Sequence, residues 1–136
     1  MATHKYTLGN LPNNPEDQEL WLQHVAGFII FEDARNYAIE QIPPDTNSKT
    51  REKIISGIDQ AIYGMMMIFD GASGKLENDK HQITLSTLVN LSSKGERSIE
   101  TIKEVKLAEG DGMCTGFHSW REGDFGKNPV TNSETD

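Results

Sequence analysis

Two stretches of the sequence hold the residue types able to do chemistry. The denser runs from Asp111 to Gly126 and carries a thiol (Cys114), an imidazole (His118), Arg121, Glu122, Asp124 and three aromatic residues among four glycines. Read as a strand from Met113 to Trp120, it puts Cys114, Gly116, His118 and Trp120 on one face. Thiol and imidazole are then about 13 Å apart, too far to form a nucleophile–base pair. A metal site would need His118 with Asp124 or Glu122 plus a distant ligand such as His81 or Glu32, and no HExxH, CxxC or EF-hand spacing supports one. The bland alternative is a glycine-rich strand and turn, with aromatics over the core and Arg121 in a surface ion pair.

The second stretch lies in a helical pattern near the start of the chain. At about 100° per residue, Trp21, Val25, Phe28 and Ile39 form one stripe, with Glu32 in its middle and Asn36 one turn on. A carboxylate on an apolar face is unfavourable unless it is paired, hydrogen-bonded or neutralised, so Glu32 is a candidate functional group. Alternatively the helix changes face near Phe31 and leaves Glu32 in water, or Arg35 pairs with it. Further along, Gly57, Ala61 and Gly64 share one side of another helix. Glycine there costs about 1 kcal/mol relative to alanine, which predicts close packing against the first helix. A ligand or a second subunit lying against that flat side would meet the same need. Of Met65, Met66 and Met67, one is expected to be exposed and two to fill the core.

The elements that must position these groups follow from pattern. Asn14 caps and Pro15 opens a helix reaching about Ile42, stopped by Pro43-Pro44. A second helix runs from about Lys49 to Phe69, with Ile54, Ile55, Ile58, Ile62, Met65, Met66 and Phe69 on one face, and Asp70-Gly71 ends it. The period then changes to two: Ile83 to Leu91 reads as a strand broken by Leu88, Ser93 to Glu96 as a hairpin turn, and Ser98 to Leu107 as a second strand in preference to a helix. Lys5 to Leu8 reads as an arm or an edge strand. The expected fold is α+β: an N-terminal antiparallel two-helix hairpin packed on a small antiparallel sheet of three or four strands. It forms one domain over 1–126, and 127–136 is a disordered tail.

Composition excludes several functions. The 136 residues suit one domain with a real core. A net charge of −8 opposes binding to nucleic acid or to an anionic membrane, and suits a basic protein partner. With a single cysteine there is no internal disulfide or paired-cysteine zinc site. No signal peptide or membrane-spanning run is evident, so a cytoplasmic location is expected. No phosphate-binding loop, dinucleotide fingerprint or nucleophile elbow occurs, and no cofactor or metal is expected.

The segments Gly57 to Gly64, Phe69-Asp70-Gly71, Gly110 to Cys114 and Gly123 to Gly126 resemble small uncharacterised bacterial proteins. More loosely, they are similar to acidic cytoplasmic immunity partners of secreted toxins. The likeness covers residues 15–126 and carries no catalytic motif, so no functional residue is transferred by it. It implies a non-enzymatic module whose exposed carboxylates (Asp70, Glu77, Asp79, Glu122, Asp124) meet a basic toxin surface. Two other readings stand beside it. One is a small enzyme or ligand-binding protein with Glu32, Asp59 and His118 in a pocket between helices and sheet. The other is a homodimer through Gly57, Ala61 and Gly64.

Overall fold

The computed structural model describes residues 2–127 and 129–132, and it is a mixed helix-and-strand fold. Strand β1 (Tyr6–Leu8) precedes helix α1 (Pro15–Ile30), whose first turn is capped by Asn14: its side chain accepts the Glu16 N–H at 3.0 Å. The helix then widens into a π-helical stretch (Phe31–Asn36) and closes as α2 (Tyr37–Glu40). Phe31, still bonded to Gly27 as in an α-helix, continues the buried side of Gly27 and Phe28 into the core, while Ile29 is exposed. Asn47 caps α3 (Ser48–Phe69) by accepting the Thr50 N–H.

Helix α3 buries Ile62 and Met66, but its expected apolar face is only partly used. Ile54 and Met65 are exposed, and of the three consecutive methionines both Met65 and Met67 face solvent. The expectation of close packing at Gly57, Ala61 and Gly64 is overturned. A Cβ at Gly57 or Gly64 would meet nothing within 4 Å, and Ala61 is exposed.

Instead of one sheet of three or four strands, the described residues form three two-stranded antiparallel ribbons. The period-two run from Ile83 to Leu91 divides where Leu88 breaks its alternation. Its first part, β3 (Gln82–Thr84), turns back onto β2 (Lys75–Glu77), a strand that the sequence pattern does not mark. Its second part belongs to β4 (Leu88–Lys94), which pairs with β5 (Ile99–Lys106), the segment expected as a strand. This longer ribbon lays Val89, Leu91 and Val105 against Trp21, Leu22 and Val25 of α1.

The larger correction concerns the segment from Met113 to Trp120, expected as a strand. It is helix α4 (Met113–Arg121), with Met113, Phe117 and Trp120 buried. Its N-cap residue, Gly112 (φ 109°), has no side chain to offer. The cap comes from Asp70 at the end of α3, whose carboxylate accepts the N–H groups of Met113 and Cys114, the latter at 2.8 Å. The expected disordered tail is also revised in part. Val130–Asn132 form β6, paired with β1, while residues 128 and 133–136 lie outside the described residues.

The main core joins Ala26 and Phe31 to Ile62, Met66, Leu107, Met113, Phe117 and Trp120. Trp120 fixes how α4 meets α1. A Cβ on Gly27 would stand 2.5 Å from the indole, and one on Gly116, a turn before Trp120, would overlap it too. The indole N–H donates to His24 Nδ1 at 3.0 Å, so His24 is neutral with its proton on Nε2. Burial pushes the His24 pKa down, with Asp124 opposing. No helix among the described residues is long and apolar enough to cross a membrane.

The glycines therefore divide into two classes that substitution separates. Gly27→Ala destabilises by roughly 2 kcal/mol, overpacking outweighing the gain in helix propensity. Gly57→Ala and Gly64→Ala each stabilise by about 0.5–1 kcal/mol. Urea denaturation of the three variants reads both effects; a neutral Gly27→Ala would show that the indole is not held as described.

Candidate functional site

Helices place two of the sequence-predicted polar residues, Asp59 and His118, on one groove. Asp59 lies on the side of α3 that faces the π stretch and α4. Arg35 grips it there, Nε to Oδ1 at 2.5 Å and Nη2 to Oδ2 at 3.3 Å, with both side chains largely buried. Arg35 also lies over the Phe31 ring, 5.5 Å from its centroid. On α4, His118 and Arg121 are three residues apart and hence neighbours on the helix surface. Arg121 Nε stands 3.9 Å from Asp59 Oδ2, and its side chain is 53% exposed. Between the helices runs an open groove of about 580 Å³, lined by Ile55, Asp59, Tyr63, Phe117, His118 and Arg121 among others. Phe117 and His118 each pack a ring against Tyr63, at 5.3 and 5.8 Å between centroids.

The other predicted residues lie elsewhere. Glu32 and Asn36 sit on the π stretch and bond to each other, Asn36 Nδ2 donating to Glu32 Oε1 at 3.1 Å. Burial raises the Glu32 pKa, the Asn36 hydrogen bond opposes this, and Asp33 and Glu40 add to it. Neither residue lines the groove. Asp124 belongs to the turn after α4, where it accepts the Gly126 N–H at 2.9 Å and acts electrostatically on His24. Glu32, His118 and Asp124 are therefore in three places, and Asp59 and His118 alone among the predicted residues share a cavity.

Cys114 also differs from expectation. On a helix it shares a face with His118, one turn away at about 6 Å rather than 13 Å along a strand. Yet its thiol engages Tyr63 and Asp70. Burial pushes the Cys114 pKa up, as does the adjacent Asp70 carboxylate, against a weaker opposing bond from Tyr63. The Tyr63 hydroxyl is itself held above its usual pKa, chiefly by its bond to the sulfur. A thiol kept protonated beside a carboxylate is a poor nucleophile. Among the described residues no three His, Cys, Asp or Glu side chains come together as a metal site.

Sequence pattern does not mark Tyr63 as a groove residue and counts Asp70 among exposed carboxylates, whereas the ion pair expected of Arg121 is present, with Asp59 as its partner. A helical projection of residues 113–121 shows Phe117, Arg121, Cys114 and His118 as one face. Compared with known proteins, the chain matches no family model, no curated protein and no solved structure. Its function is therefore argued from its own geometry.

Two measurements test these environments. Because the folded Glu32 pKa is raised, its contribution to stability is complete below its usual value of 4.5 and lost as pH rises through the folded value. Glu32→Gln is therefore more stable than the parent at pH 7, by a margin that vanishes as pH falls toward 4.5 in thermal melts. In the native protein Cys114 reacts with a disulfide reagent at neutral pH at least about tenfold more slowly than free cysteine, and unfolding removes the difference.

Proposed function

We propose that the chain is an acidic cytoplasmic protein-binding module that acts by association, in the manner of bacterial immunity proteins, with one domain that includes the β6 strand as well as residues 1–126. The observation that carries this reading is the β2–β3 ribbon. Its turn is closed by Asn78, whose side chain accepts the Lys80 and His81 N–H groups at 2.9 and 2.8 Å. Leu76 and Ile83 are directly opposed on one face, and Leu85 follows two residues on. These three are 78, 72 and 63% exposed. The opposite face carries Lys75, Glu77, Gln82 and Thr84, with Glu77 held charged by Gln82 and Lys75. The ribbon is thus amphipathic, with its apolar side toward water. An isolated two-stranded hairpin is marginal in water, and an uncovered apolar patch marks a binding surface.

Charge favours a partner with a basic surface, since the chain is −8 overall. Asp70 contributes through structure rather than contact, because its carboxylate is committed to α4. Glu77 and Asp79 are exposed on the ribbon itself.

A photo-crosslinking residue at position 83 captures the partner, and Leu76→Asp with Ile83→Asp weakens the isolated complex by at least about a hundredfold. Affinity falls about tenfold or more between about 50 mM and about 500 mM salt. Salt-independent affinity, or full binding by the double variant with its circular dichroism unchanged, overturns the reading.

A further inference from the structure

We infer that the groove between α3 and α4 binds a carboxylate carried on an aromatic or branched apolar body. The inference is independent of the β2–β3 ribbon. The charges of the groove decide the ligand. Asp59 is already neutralised by the largely buried Arg35, so Arg121 is not needed to compensate it. At 3.9 Å from that carboxylate and half exposed, the Arg121 guanidinium has no hydrogen-bonded acceptor among the described residues. It keeps a planar fork of donors free, the geometry that fits a carboxylate with two parallel bonds. His118 lies beside it on α4, exposed, and offers a further ring N–H.

The body of the ligand is set by what lies next to these donors. Ile55, Tyr63 and Phe117 supply an apolar and aromatic floor, the Tyr63 ring lying against Phe117 and His118. The volume of about 580 Å³ falls in the range of small-molecule sites. Glu52 lies at the far end of the groove, seven residues or about 10 Å along α3 from Asp59. Its carboxylate repels an anion there and so orients the ligand, acid end to Arg121 and apolar end toward Ile55. Polyanions are disfavoured, since one guanidinium is free and two carboxylates line the same groove. The carboxylate can come from a free acid or from the C-terminal residue of a peptide, the recognition chemistry being shared.

Amide nitrogen–proton spectra of the full chain, titrated with 3-phenylpropionate and with the tripeptide acetyl-Gly-Leu-Phe, test this. Both acids shift resonances in 55–63 and 117–121, with dissociation constants of about a millimolar or below. The tripeptide's C-terminal amide binds at least about tenfold more weakly. Tighter binding by the tripeptide assigns the site to a peptide terminus, and tighter binding by phenylpropionate to a free acid; either supports the inference. Arg121→Gln weakens both acids about tenfold, and Arg121→Lys, which keeps the charge but not the fork, weakens them several-fold. Retained dispersion elsewhere in the spectrum shows that each variant is folded. The inference is overturned if the groove resonances do not move at millimolar acid. It is equally overturned if acid and amide bind alike, if inorganic phosphate binds more tightly than either acid, or if folded Arg121→Gln binds as the parent does.

Discussion

An indole laid between two glycines is the constraint on which this structure depends. Trp120 is among the largest side chains in the core, and it fits because neither Gly27 on α1 nor Gly116 on α4 carries a Cβ. The close approach sets the distance between the two helices, and the hydrogen bond to His24 sets the rotation of the ring. From there aromatic contacts run in both directions. Phe125 stacks on the indole with planes 4° apart and leads through Phe28 to Tyr6. Phe31 leads through Phe117 to Tyr63 and His118 at the groove. Aromatic pairs of this kind contribute roughly 0.5–1.5 kcal/mol each beyond the area they bury. The π stretch belongs to the same arrangement: its first residue, Phe31, packs on the indole, and Arg35 within it reaches Asp59.

With Trp120 on the α1 side of α4, the opposite side of that helix turns to α3. Cys114, His118 and Arg121 therefore reach α3 as a consequence of how the tryptophan packs. Asp70 then joins the two helices a second time, stabilising a short helix whose own cap position is a glycine. The carboxylates of this acidic chain thus divide by role. Asp59 and Asp70 hold helices together, while Glu77 and Asp79 remain on the surface.

How much of this is legible in the sequence depends on where the stabilising partner lies. The long helices announce themselves locally: Asn14-Pro15 and Asn47-Ser48 carry their own caps, and the apolar spacing is helical throughout. Strand β5 is equally local. The turn before it closes at Gly95 and Ser98, two residues later than the Ser93 to Glu96 expected, because Ser93 and Lys94 extend β4. Helix α4 is not local. Its cap comes from Asp70, more than forty residues upstream, and Gly112 and Gly116 argue against a helix in any local window; Gly116 is explained only by an indole one turn away. The ribbons are hidden for a related reason. A period of two shows that residues 83–91 are extended, but not that the run changes partner near Leu88. For the groove, the sequence points to Asp59 and His118 in a pocket between helices and sheet, yet they meet between two helices because the region of His118 is helical. Glu32 stands out by its misfit to the apolar stripe, and the structure answers it with a hydrogen bond from Asn36 away from the groove. The packing expected at Gly57 and Gly64 fails because a permissive residue shows where a neighbour could approach, not that one does.

The pairing of β1 with β6 has a consequence of another kind. Tyr6 to Leu8 meet Val130 to Asn132, so one three-residue ribbon closes a loop of more than 120 residues. The entropy lost in joining points so far apart along a flexible chain exceeds what so few backbone bonds return. This ribbon therefore cannot nucleate folding and must form after the aromatic core has already brought the two segments together. Tyr6, set edge-on to Phe28 at 4.8 Å, is the handle by which that late closure is held. Among the ribbons described, this is the one whose pairing depends most on contacts made elsewhere in the fold.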